Sequence, residues 1–198
     1  MPKPSRDLPT SQPEAGPASL QNIDLPGAPP PSPKGRVLYD NLNIRIDGDG
    51  IWHYHGSPIQ RKELLCLFAS ALTRDADGQH WLVTPAEKGP IEVEDAPFLA
   101  VEAFIAGAGE QQLISVRTNV DEIVTIDDEH PLHIEADPKT GELKPYVLLN
   151  KGLKAKLSRA LYYDLVALGA KAESGGRGCL GVWSAGRLFL IGWLDEAP

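Results

Sequence analysis

The prolines are not spread evenly along this chain. Ten of its 18 fall in residues 1–36, and that clustering sets the first limit on what can fold. A segment with so many fixed φ angles, so few N–H donors and few large apolar residues buries too little to offset its ordering entropy. It reads as a flexible arm, in which Leu20 and Ile23 are spaced for one short docked helical turn. Residues 37–198 must then hold the core, which is enough chain for one domain or two small intertwined ones. The same division splits the charge. The formal net charge of -8 combines an arm near +1 with a body near -9. An acidic body argues against a nucleic-acid partner, because neutralising phosphates needs a basic surplus. The N-terminus has no apolar stretch behind its charges and does not read as a secretory signal. No segment reaches about 18 uncharged apolar residues, so no membrane partner is expected. The two cysteines, Cys66 and Cys179, stand far apart and read as ordinary thiols of a cytoplasmic protein.

Periodicity organises the body. Ile44, Arg45, Ile46 and then 51–55 alternate at period two around Asp47-Gly-Asp-Gly50, a hairpin signal. Ser57, Pro58 and Gln60 stand where a capping box and a first-turn proline would open a helix. The stripe Leu64, Leu65, Phe68, Ala71 and Leu72 carries that helix to about Arg74. Strands are expected at 80–85, 91–94, 98–105, 112–118, 122–126, 132–135 and 143–149. Leu153, Leu157, Leu161, Leu165 and Leu168 predict a second helix, led in by Asn150-Lys-Gly and stopped at Gly169. Two last strands, 180–183 and 188–193, follow the Gly-rich stretch 175–178. The order of hairpin, strand, helix, Gly-rich turn and return strands occurs twice, which divides the body into halves at 37–90 and 91–198.

Candidate chemistry is sparse. His53 and His55 share a strand face, and with His80 opposite them three imidazoles could bind zinc. No carboxylate or thiol stands at ligand spacing, so no metal is expected. His130 and His133 flank a proline turn and read as solvated loop histidines. Nucleophile-elbow, dinucleotide and P-loop motifs are missing, so no cofactor is expected and an enzyme is the lesser reading. What remains is polar groups at strand ends: Glu87 with Lys88, Glu94 with Asp95, and Arg117 with Asn119 and Asp121. Such residues usually form turns, but grouped opposite charges also suit a pocket that orients a small ligand. Helix N-termini expected at Ser57 and Asn150, with Arg61 and Lys151 beside them, would add donors for an anion.

One ordered series of motifs resembles a known family. Trp52, 56–59 and Arg61, then 82–85 with Glu87 and Lys88, lead to 93–98 and to 118–121. His130-Pro-Leu132, Pro145-Tyr-Val147, Gly152, Leu153, Arg159 and Tyr163 complete the series. Together, over about residues 20–195, these are similar to the bacterial domain of unknown function 1285. Asn150-Lys151 departs from the pattern, since an Arg-rich step is expected before Gly152 and a lysine cannot give a guanidinium's bidentate contact. The resemblance implies an α+β protein of two intertwined halves with repeated strand-helix-strand motifs, the C-terminal half loosely pleckstrin-homology-like. It also implies a small, nucleotide-like ligand between the halves and a part in signalling. The leading expectation is a cytoplasmic ligand-binding or sensor protein. Arg61, Lys88, Arg117, Asn119 and Tyr146 are its candidate ligand contacts, oriented by Glu87, Asp95 and Asp121. The first alternative is a small-molecule hydrolase or transferase with Glu87 or Asp95 as general base, which needs a raised pKa in a closed pocket. The second is a protein-interaction module recruiting a partner through the arm or an exposed sheet edge.

Overall fold

The computed structural model describes residues 37–137 and 140–194. The Pro-rich arm, with its turn at Leu20 and Ile23, lies outside them. Strands account for 49% and helices for 16%, and the described residues contain two α-helices and three sheets. The expected α+β class is corrected by this balance: the protein is mostly β, in two halves.

The first half contains β1 (Val37–Leu38), β2 (Ile44–Ile46), β3 (Trp52–Tyr54), β4 (Ser57–Pro58), α1 (Lys62–Ala71), β5 (Leu72–Arg74), β6 (His80–Val83) and β7 (Glu87–Val93). They make one sheet in the order β4-β3-β2-β7-β6-β5, with β1 also beside β7. β7 runs unbroken through position 90. A second sheet orders β8 (Phe98–Ala106), β9 (Leu113–Thr118), β10 (Ile123–Thr125), β11 (Leu132–Ala136), β12 (Leu143–Leu148) and β13 (Lys154–Leu157) as β10-β9-β8-β13-β12-β11. After α2 (Arg159–Ala167), strands β14 (Ala170–Ser174), β15 (Arg177–Ser184) and β16 (Arg187–Trp193) form an antiparallel meander. β11 lies beside β16. The spatial order β13-β12-β11, then β16-β15-β14, therefore repeats β4-β3-β2, then β7-β6-β5. Strands β8 to β10 are an addition to the second copy.

Both helices begin later than expected, the first later than its capping box at Ser57 and the second later than its leucine pattern. Ser57 and Pro58 do not cap a helix; they pair with Tyr54 and His53 as β4. His55 and Gly56 take φ of 47° and 80°. Positive φ at both central residues is the type I′ geometry that matches strand twist, and it outcompetes the capping box. α1 starts at Lys62 after Arg61, without a side-chain cap. In the second case, Leu153, Ala155 and Leu157 are buried while Lys154 and Lys156 are half-buried. That alternation has period two, so the segment is β13. The helix waits for Ser158, whose hydroxyl accepts from the Leu161 N–H at 3.2 Å. Ser57 thus lies in a strand and Asn150 opens only a single 3-10 turn with Lys151 at φ 60°, so neither is an α-helix N-terminus and the anion-binding ends expected there do not form.

The core runs through both halves. Trp52 is 1% exposed. Its ring stacks on Phe68 of α1 at 6.4 Å and on Phe98 of β8 at 6.5 Å. α2 adds Leu161 and Leu165, and the meander adds Val182, Phe189 and Ile191. Among the described residues no helix is long and apolar enough to cross a membrane.

Candidate functional site

Where the halves meet, the Asp47–Gly50 turn and the residues after β7 face β12, β13 and the start of α2 across an open groove of about 1040 Å³. Its floor is ionic. Asp95, in the link between β7 and β8, is pulled toward the second sheet by three groups. The Tyr146 hydroxyl donates to its Oδ1 at 2.6 Å. Lys156 Nζ donates to Oδ2 at 3.1 Å, and Lys144 Nζ stands 3.6 Å from the same oxygen. Alternation explains the convergence, because Tyr146 and Lys156 are directly opposed in register and project from one face of the sheet. Lys156 also donates to the Gly48 carbonyl at 2.7 Å, and Lys144 to Asp137 at 2.7 Å.

The electrostatics follow from burial and these partners. Burial alone would raise the Asp95 pKa, but the Tyr146 hydroxyl and the Lys156 ammonium outweigh it and hold the carboxyl below its usual range. Burial, and then the Asp95 carboxylate, push the Tyr146 hydroxyl far upward. Tyr146 is further covered by Lys154, whose Nζ sits 3.9 Å from the ring centroid. On the rim, Asp47 closes its own turn and meets His53 Nε2 at 2.8 Å, while Glu94 binds Arg45 and accepts from the Gly48 N–H. Arg159 is different. It is exposed at the first position of α2, leans on the Tyr163 ring, and makes no ion pair among the described residues. The groove can therefore offer an anion one uncommitted guanidinium, two ammoniums shared with Asp95, and tyrosine faces from Tyr162 and Tyr163.

Of the residues singled out in the sequence, Asp95 and Tyr146 belong to this floor. The others do not gather there. Arg61 is exposed ahead of α1. Lys88 Nζ lies 4.1 Å over the Trp81 ring. Arg117 is held by Glu102 and Asp121, and Asp121 also pairs with Lys62. Asn119 is a clasp between the halves: its Oδ1 accepts from the Leu99 N–H at 3.1 Å and its Nδ2 donates to the Gly50 carbonyl at 3.2 Å. Glu87 accepts from the Tyr39 hydroxyl. The three histidines considered for zinc are also apart. His53 is on β3 and His80 on β6, with β2 and β7 between, and no group of three ligating side chains among the described residues could hold a metal. Sequence reasoning missed Lys156 because the leucines at 153 and 157 place it in a helix, and Lys144 because a lone lysine in a strand looks like an ordinary solvated residue. The Lys-Ala-Lys period was the available signal.

The family's N-terminal domain matches residues 36–96, described as a domain of unknown function, DUF1285, and its C-terminal domain matches residues 97–191. The chain belongs to the DUF1285 family. A crystal structure of a DUF1285 family protein from Silicibacter pomeroyi DSS-3 is similar at TM-score 0.73 and 36% identity, over 83% of this chain and 88% of that one. Another DUF1285 family protein, from Shewanella baltica OS155, is similar at TM-score 0.50 and 30% identity, over 64% of this chain and 91% of that one. No curated protein matches. The boundary between the two DUF1285 domains falls just after Asp95, so the groove is a feature of their junction. The departure at Asn150-Lys151 lies elsewhere: Lys151 donates to the Ser70 carbonyl at 3.0 Å and ties α1 to the second half.

Proposed function

We propose that this DUF1285 protein is a cytoplasmic ligand-binding sensor that holds a small, nucleotide-like molecule in the groove between its halves. The observation that carries this reading is the convergence of Lys144 and Lys156 on one half-buried carboxylate at the junction, with uncommitted Arg159 at the rim. A phosphate meeting Arg159 would compete with Asp95 for Lys156, and a base would find the faces of Tyr162 and Tyr163. Lys156 also holds the Gly48 carbonyl, so ligand binding would be felt in how the halves are clasped. That coupling is the physical basis for a signalling role. The general-base alternative needs a raised carboxyl pKa, whereas Asp95 is held low by its partners.

Thermal melting in the presence of individual nucleotides tests the reading. A ligand at about a hundredfold excess over its Kd stabilises the fold by about 2.7 kcal/mol, which for a chain of this size raises Tm by about 5–10 °C. Arg159→Ala, at an exposed position, should leave the ligand-free Tm unchanged and weaken binding about tenfold. If no nucleotide raises Tm of the folded protein, or if Arg159→Ala binds as well as wild type, the reading fails.

A further inference from the structure

The second sheet is incomplete along β8. β13 pairs with this strand only at Phe98, Leu99 and Ala100. The Ser158 N–H then closes on the Ala100 carbonyl at 2.8 Å, and the chain turns into α2. From Glu102 to Ala106, β8 keeps β9 on one side and has no strand on the other among the described residues. That free stretch is apolar: Phe104 and Ile105 are 46% and 47% exposed, and Val101 just before it is 37% exposed. Phe104, Ser115 and Thr125 form one cross-strand row, and Leu113 and Ile123 stand on the same face. An exposed apolar edge that presents backbone donors and acceptors is a template for another strand, and folded proteins normally cover or charge such edges. Here the single charge is Glu102, already neutralised by Arg117 at 2.8 Å.

We propose that this edge is the interface of a homodimer, in which β8 pairs antiparallel with β8 of a second copy and the two sheets become continuous. Two features select a copy of the same chain. A dyad at Phe104 sets Phe104 against its own equivalent, Glu102 against Ala106, and Ala103 against Ile105. No like charges then oppose each other, and an aromatic pair sits at the centre. The folded body is strongly acidic and repels its copy over most of its surface, whereas residues 101–107 carry one charged side chain, and that one is paired. An isologous contact of this kind closes on itself and leaves no edge for further growth.

Sedimentation velocity of the full chain over a concentration series, with amide hydrogen exchange, tests the proposal. Wild type is expected to form a dimer, with exchange at residues 102–106 slowed as the dimer forms. Phe104→Lys should raise the dimer dissociation constant at least tenfold while keeping the wild-type circular dichroism spectrum. Leu143→Lys, at an exposed site on β12, should leave the dimer intact. Should Phe104→Lys fail to fold, Ala106→Glu, which sets a like charge opposite Glu102 of the second copy, gives the same reading. A chain that stays monomeric throughout overturns the proposal. So does a dimer that neither edge variant weakens, or one that forms without protecting residues 102–106.

Discussion

At the scale of single residues, His80 shows how the junction sets an acid limit. It lies on β6, opposite Arg74 of β5 and Ile91 of β7. Burial, then the nearby Arg74 and Lys154 charges, push its pKa from 6.5 down to about 4. The folded chain thus keeps a neutral imidazole where the unfolded chain would take a proton. The unfolded state binds more protons between about pH 6.5 and 4, so stability is full above that window and falls as pH drops through it. A shift of this size is worth about 3 kcal/mol for a fully buried ring; His80 is well short of that, and screening by solvent leaves about 1 kcal/mol. Asp95 acts in a separate range: its lowered pKa contributes above the ordinary carboxylate value of 3.8 and is lost below it. The urea midpoint of His80→Gln should therefore change less than that of wild type between pH 6.5 and 4. Equal slopes would show that His80 contributes nothing.

At the scale of elements, α2 depends on its first turn. Ser158 is the cap, and Ser158→Ala should cost about 1 kcal/mol, read as a lower urea midpoint with unchanged m-value. The same residue shows why strands were easier to read than helix starts. Hairpin signals such as 44–55 needed only local alternation and a Gly-rich turn, and they appear in the fold as β2 and β3. Leucines four apart at 153 and 157 satisfy both a helix and a strand, and only the lysines between them decide. β5 is not legible because it is short and follows directly on α1, where its residues look like a fraying end. The Gly-Gly turn at 175–176 was visible, yet β14 before it, Ala-Lys-Ala-Glu-Ser, has little β character of its own and is recruited by β15. For the site, Asp95 and Tyr146 were legible as polar residues within ordered motifs. The meeting of Asp95 with Tyr146, Lys144 and Lys156 spans about 50 to 60 positions of chain, which no local pattern encodes. Asn119 and Arg117 were legible as polar too, but the structure uses them to join pieces.

At the scale of the whole molecule, the halves share one core. Trp52 is enclosed by Phe68 from its own half and Phe98 from the other, and the Cys66 thiol, Lys62, Lys151 and Asn119 add contacts across the junction. Unfolding should therefore be a single transition. Tryptophan fluorescence and far-ultraviolet circular dichroism are expected to give coincident urea curves, and separate midpoints would show that the halves melt independently. Residues 36–96 expressed alone should fail to fold, because Trp52 would lose the face that Phe98 covers. The Asp47–Gly50 turn carries a consequence for how such chains can diverge. Its Gly48 carbonyl is seated on Lys156, and a Cβ at Gly50 would come within 3.4 Å of Leu99 Cβ. An inserted residue there would lift the turn from its seat and part the halves, so this loop is barred from the length drift that surface loops usually tolerate. Its spacing is inherited from its neighbour, not from its own hairpin.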